Sequence, residues 1–160
     1  PQLSLKDENL SEICRQALAL EHNRHPEIEY VSDLSGADVI LYCDHRQVTR
    51  ALTNPLHNAA ESIVNGEKPG EITISVKGVE EGIEIVVSDT GPGISPDILP
   101  HLFDPFFTTK KKGTGLGLAL TEQIIREHGG NMYVESTPGE GARFVIKLPF
   151  TPPTNVLPLD

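Results

Sequence analysis

DHRQVTRALTNPLHNAAESIVNG (residues 44–66) decides the architecture. Val48, Leu52, Leu56, Ala59, Ala60 and Ile63 recur at helical spacing, forming one apolar stripe. Asp44 precedes the run, and Asn65-Gly66 closes it as a C-cap. Directly after this long helix, EITISVKG (71–78) and IEIVVSD (83–89) are alternating or β-branched runs joined through VEEG, the mark of strands. Upstream, Asp7 is a candidate N-cap for a helix carrying Leu10, Ile13, Cys14, Ala17 and Leu18, which fades at His25-Pro26. EIEYVSDL (27–34) and ADVILYCD (37–44) follow as two short strands with a Ser-Gly turn between them. Downstream, DTGPGISPD (89–97) is turn-rich, and Ile98, Leu99 and Leu102 mark a short helical piece. FDPFFTTKKKGTG (103–115) has no periodicity and reads as a mobile loop. LGLALTEQIIREHGG (116–130) is a helix closed by paired glycines, and NMYVEST (131–137) and ARFVIKLPF (142–150) are strands around the turn PGEG. The expected fold is an α/β sandwich, with a mixed sheet of about five strands covered on one face by about three helices. Residues 1–150 are expected to form this domain, and the Pro-rich stretch 151–160 a flexible tail.

At 160 residues and 38% hydrophobic, the chain suits one compact domain. A formal charge of −10 repels phosphate backbones and argues against nucleic acid as a partner. A small anion is still compatible with a local basic loop or a helix N-terminus. Lys110, Lys111 and Lys112 form the one basic cluster, beside the most glycine-rich stretch, and phosphates are expected there. No apolar run approaches the roughly 20 residues that span a bilayer, and PQLSLKDENL lacks a basic-then-apolar layout. The expectation is a cytoplasmic domain without direct membrane contact, compatible with a membrane-anchored parent protein. Cys14 and Cys43 are too dispersed for a disulfide framework, and Cys43-Asp44-His45 has no second cluster to complete a zinc site. Both are read as buried, reduced thiols.

Three segments carry chemistry. Asn54 and Asn58 lie four apart, hence on one face of the long helix. Asparagines there are either locally paired or offer amide oxygens suited to Mg²⁺. Asp89-Thr90-Gly91-Pro92-Gly93 follows a buried strand, so its carboxylate can accept from a ligand amino group while the glycines allow a tight turn. Taken alone it is an ordinary Asx-type turn. Gly113-Thr114-Gly115-Leu116-Gly117 runs into a helix, where successive N–H groups make an anion site. A Rossmann reading fits poorly because a Phe/Thr/Lys loop, not a strand, precedes the glycines. A Walker loop is excluded, since no Gly-Lys-Ser/Thr occurs.

In order, NPLHNAAESI, DTGPGI, LFDPFFTTK and GTGLGLAL resemble the N, G1, F and G2 boxes of sensor histidine kinases, and HGGNMYVESTPGEGARFVIKLP resembles the end of their ATP-binding domain. The wording DPFFTTK with GTGLGLA is most similar to the nitrogen-regulation branch. The resemblance implies a Bergerat-type GHKL fold with an ATP lid, using ATP and Mg²⁺. It assigns Asn58 to Mg²⁺, with Asn54 beside the phosphate chain. Asp89 would accept from the adenine amino group, with Gly91, Gly93 and Ile94 lining that pocket. Gly113, Thr114, Gly115, Leu116, Gly117 and Leu118 would surround the phosphates. Phe103, Phe106, Phe107, Thr109 and Lys110 would belong to the lid and its phosphate contacts. The γ-phosphoryl would pass to a histidine on a separate dimerisation domain, and then to an aspartate of a response-regulator receiver domain.

The sequence departs from that pattern at four positions. Pro55 stands inside the N-box helix, where it removes a backbone donor and predicts a kink. Ser62 replaces an aromatic that would stack on adenine, Ala142 replaces a threonine, and Glu61 stands where lysine is usual. His22 through Pro26 superficially resembles a phospho-acceptor box, but a strand follows it and the usual acidic residue after His is missing, so the acceptor is expected elsewhere. His57, His101 and His128 read as structural or solvated. Two alternatives are a GHKL-type ATP hydrolase and a nucleotide-binding interaction module without kinase activity. The first lacks its glutamate, because Asn54 stands one turn before Asn58.

Overall fold

A computed structural model describes residues 2–66, 69–105 and 117–153. A short strand β1 (Lys6–Asn9) leads into helix α1 (Leu10–Arg24), followed by β2 (Glu29–Asp33), β3 (Ile40–Cys43) and helix α2 (His45–Val64). Strands β4 (Glu71–Val79) and β5 (Gly82–Asp89), a 3₁₀ turn (Leu99–His101), helix α3 (Gly117–Glu127) and strands β6 (Asn131–Ser136) and β7 (Ala142–Pro149) complete the order. The main sheet runs β2-β4-β5-β7-β6 and is mixed, with β2 parallel to β4 and the remaining pairs antiparallel. Three helices pack on it, as the sequence predicts.

The helix-covered face follows from strand alternation. Ile72, Ile74 and Val76 of β4, Ile83, Ile85 and Val87 of β5, and Phe144, Ile146 and Leu148 of β7 are all buried. They meet Leu10, Ile13, Cys14 and Ala17 of α1, Val48, Leu52, Leu56 and Ile63 of α2, and Ile124 and Ile125 of α3 in one core. The opposite face carries charge instead. Lys77 and Lys147 lie opposite Glu84 in register, at 3.4 and 3.9 Å from its carboxylate oxygens. Cys14 and Cys43 are free and buried, and burial pushes both thiols up to about 12, which keeps them unreactive.

Two expectations change. Asn9, not Asp7, caps α1, with its side chain accepting from the Glu12 N–H at 3.3 Å. The cause is the pairing of Lys6–Asn9 with Ile40–Cys43, which holds the chain extended up to that point. The two short strands β2 and β3 part into different sheets, one beside β4 and the other beside β1. The start of the tail packs on the domain, since Pro152 is buried and a Cβ on Gly129 would stand 2.3 Å from Pro153 Cδ. Residues 154–160 lie outside the described residues. Helix α2 itself runs as one helix through a buried Pro55, and Asp44 caps it by accepting from the Gln47 N–H at 3.1 Å.

Candidate functional site

Asp89 ends β5 on the same face as Ile83, Ile85 and Val87, so alternation delivers its carboxyl to the helix-covered side at the strand's end. It is only 8% exposed. The Gly91 N–H donates to Oδ1 at 2.8 Å, and the Ala142 N–H also donates to the carboxyl. Burial raises the carboxyl above its ordinary range, and these two bonds offset part of that rise. Beside it, Ser136 Oγ receives the Ile94 N–H at 2.7 Å and donates to the Gly141 carbonyl at 2.9 Å, tying the turn after β5 to the β6–β7 hairpin.

Two glycines of this corner are required by the chain itself. Gly93 has φ +79°, and a Cβ there would stand 2.6 Å from the Thr137 carbonyl oxygen. Gly141 has φ +85°, and a Cβ there would fall 2.0 Å from the Asp89 carbonyl oxygen. Gly91 is tight for another reason, since a Cβ would meet Ser62 Oγ at 2.9 Å and Asp89 Oδ1 at 3.0 Å. Ser62 of α2 therefore faces the Asp89 turn, in place of the aromatic of the family pattern.

Eight residues earlier on the same helix, Asn54 faces α3. Its Nδ2 donates to the Gly117 carbonyl at 3.0 Å and to Thr121 Oγ1 at 3.1 Å, and Thr121 donates in turn to Gly117 at 2.9 Å. A carbonyl only accepts, so the amide nitrogen must point at α3 and the amide oxygen away from it. Asn58 is half-buried, one turn from both Asn54 and Ser62. The stripe Asn54, Asn58, Ser62 thus spans about 12 Å of helix, with the start of α3 at one end and the Asp89 turn at the other. A Cβ on Gly117 would approach only Asn54 Cγ, at 3.9 Å, which is ordinary contact. Packing among the described residues does not require a glycine at that position.

Phe103, Ile94 and Leu118 are partly buried against the core. Phe106, Phe107, Thr109, Lys110, Lys111, Lys112, Gly113, Thr114, Gly115 and Leu116 lie outside the described residues. Among the histidines, His128 is structural, with Nδ1 on the Ile124 carbonyl at 2.8 Å and Nε2 accepting the Asp44 N–H at 3.1 Å. His101 pairs with Asp104 at 2.9 Å. Glu61 engages His57. Sequence reasoning missed Thr121, Ser136 and Gly141. Thr121 interrupts an otherwise apolar helical stripe, and Gly141 stands in a turn directly before a strand, so both left a faint signal. Ser136 left none.

Residues 43–152 match the family of histidine kinase-, DNA gyrase B- and HSP90-like ATPases. The chain is 37% identical over 145 residues to sensor protein FixL of Bradyrhizobium diazoefficiens, covering 89% of this chain and 28% of that protein. It is 38% identical over 149 residues to nitrogen regulation protein NtrY of Azorhizobium caulinodans, covering 89% and 19%. It therefore spans less than a third of these relatives. The nucleotide-free catalytic domain of histidine kinase ThkA superposes with a TM-score of 0.82 at 31% identity, covering 94% of this chain and 98% of that one. ThkA in complex with response regulator protein TrrA superposes with a TM-score of 0.77 at 27% identity, covering 92% and 42%. The ordered boxes, the sheet with its Asp89 corner and these likenesses together place the chain in the histidine kinase-, gyrase B- and HSP90-like ATPase family, as a histidine kinase ATP-binding catalytic domain.

Proposed function

We propose that the domain holds Mg²⁺-ATP between α2, the Asp89 turn and the start of α3, and presents the γ-phosphoryl to a histidine of a separate dimerisation domain. The observation that carries this is the α2 stripe, which joins a buried carboxylate at one end to the beginning of α3 at the other. The donor set fits a purine nucleotide. Asp89 is a buried acceptor for an exocyclic amino group, and Gly91 and Gly93 keep side chains away from it. Gly117 clears the start of α3 for an anion. Asn58 offers the hard amide oxygen that Mg²⁺ prefers, and the ion would neutralise phosphate charge there. By the box resemblance, Gly113, Thr114, Gly115 and Leu116, with Thr109 and Lys110, would contact the phosphates, Leu118 would border them, and Phe107 would belong to the lid.

Asn54 is a positioning residue in this reading, holding α2 against α3. It cannot deprotonate water, which counts against the hydrolase alternative. Phosphoryl transfer depends chiefly on positioning and charge stabilisation, so the nucleophile can come from another domain. The complex of ThkA with TrrA supports a response-regulator receiver as the next acceptor. Such a domain would work in the cytoplasm, whether or not its parent is membrane-anchored. None of the described helices is long and apolar enough to cross a membrane.

Thermal unfolding with and without a non-hydrolysable ATP analogue and Mg²⁺ tests binding. At about 100 times the dissociation constant, ligand adds about 2.7 kcal/mol, a rise of roughly 5–10 °C. Phosphate transfer to an added histidine-bearing dimerisation domain tests the kinase step. Binding without transfer would favour the interaction-module alternative, and no shift would overturn the site.

A further inference from the structure

The apolar stripe of α1 runs Leu10, Cys14, Ala17 and then, one turn on, Glu21, a carboxylate with 0% exposure. Its Oε2 has no hydrogen-bond partner among the described residues. An ionised carboxylate in that position is costly unless cations surround it. Two imidazoles do face it. His57 Nδ1 lies 3.1 Å and His25 Nε2 3.7 Å from Glu21 Oε1. One ligand atom from each of the three residues falls within 4.8 Å of the others.

The outer nitrogens of both rings meet carboxylates. His25 Nδ1 is 3.2 Å from Glu27 Oε1, and His57 Nε2 contacts Glu61 Oε1. In the tautomers that carry the ring proton on the outer nitrogen, the lone pair of His57 Nδ1 faces Glu21 Oε1 at 3.1 Å and that of His25 Nε2 lies 3.7 Å from the same oxygen. Arg24 Nη1 also approaches His57 Nδ1, at 3.5 Å, and a guanidinium only donates, which again asks for a lone pair there. Two lone pairs turned on a carboxylate repel it, and a shared cation removes the repulsion. A carboxylate on the far nitrogen of each histidine is the arrangement that orients imidazoles toward a metal.

We propose that Glu21, His25 and His57 bind a divalent ion of the zinc class, bridging α1 to α2 one residue before Asn58. Two imidazoles and one carboxylate suit Zn²⁺, whose bonds of about 2.0–2.2 Å set ligand atoms roughly 3.3–3.5 Å apart in a tetrahedron. The 3.1 and 3.7 Å separations bracket that value. His25 and His57 remain partly exposed, with side chains 21% and 35% accessible, which leaves the fourth position to water. The Arg24 side chain, 53% exposed and 3.7 Å from Glu21 Oε2, turns outward when the ion enters. Mg²⁺ does not substitute, because it prefers an all-oxygen octahedron.

The test is calorimetric titration of the tag-free, chelator-treated chain with ZnCl₂, without nucleotide, so that failure of the ATP reading leaves it untouched. One Zn²⁺ per chain is expected, with a visible absorption band of low symmetry when Co²⁺ replaces it. His25→Gln should abolish the band and weaken Zn²⁺ by more than about 100-fold. Glu27→Gln, at an exposed position that cannot unfold the chain, should weaken Zn²⁺ by roughly 10- to 100-fold. Absence of saturable one-to-one binding, or the same affinity in both variants as in the parent, would show that protons and Arg24 alone neutralise Glu21 and would overturn the proposal.

Discussion

Asn54 of α2 donates through Nδ2 to the carbonyl of Gly117, 63 residues away, at 3.0 Å. With the second bond to Thr121 Oγ1, this amide locks the long helix to the first turn of α3. Asn54→Ala removes both bonds without placing a charge, and should cost about 1–2 kcal/mol in urea unfolding. Asn54→Asp turns a carboxylate toward the Gly117 carbonyl and should cost more than the alanine change. ATP hydrolysis without an acceptor domain should stay at background in the parent. An Asn54→Ala domain as stable as the parent would show the contact to be incidental.

Asp89 gives a prediction in pH. Burial raises its carboxyl above the ordinary 3.8, so the folded state holds its proton more tightly than the unfolded chain does. The sign follows from that. Its stabilising contribution is complete below pH 3.8 and is lost as pH rises through the higher folded value. The parent should therefore gain stability relative to Asp89→Asn as pH falls from 7 toward 4, measured as the difference between paired denaturant curves. The same variant should lose adenine-nucleotide binding at pH 7. A pH-independent difference would contradict the burial argument.

Glycines on the two sides of the site should behave oppositely. Gly117→Ala meets only ordinary contact, and alanine favours helix, so stability should hold or rise by up to about 1 kcal/mol. Nucleotide affinity should nevertheless fall, because the new methyl stands at the start of α3. Gly93→Ala and Gly141→Ala force a side chain into positive φ against backbone oxygens, and should lose about 1–3 kcal/mol or more before any ligand is added. Chemical denaturation together with nucleotide titration separates the two classes.

His128 supports the site from below. Its Nε2 accepts the buried N–H of Asp44, the residue that caps α2. His128→Leu keeps most of the volume but leaves that N–H unpaired, at a cost of about 1–3 kcal/mol. Hydrogen exchange at the first turn of α2 should quicken more than exchange in β5. Equal protection in both elements would show that Asp44 caps the helix unaided.

Sequence alone determined the sandwich, the α2 stripe and the order of the boxes, because hydrophobic period and glycine spacing are local properties that survive into the fold. Asp89 was legible for the same reason, as the polar end of a strand that is otherwise apolar. Tertiary structure decided what distant residues do to one another. The pairing of β1 with β3 moved the α1 cap from Asp7 to Asn9, and no local pattern announces a partner more than 30 residues away. The sequence sets Asn54 near the phosphate chain, and its partners Gly117 and Thr121 on α3 appear only once the two helices pack. Glu21 carries no distinguishing signal in the sequence. Packing of α1 on α2 buried it between His25 and His57, since the cost of an unpaired charge depends on what surrounds it in space.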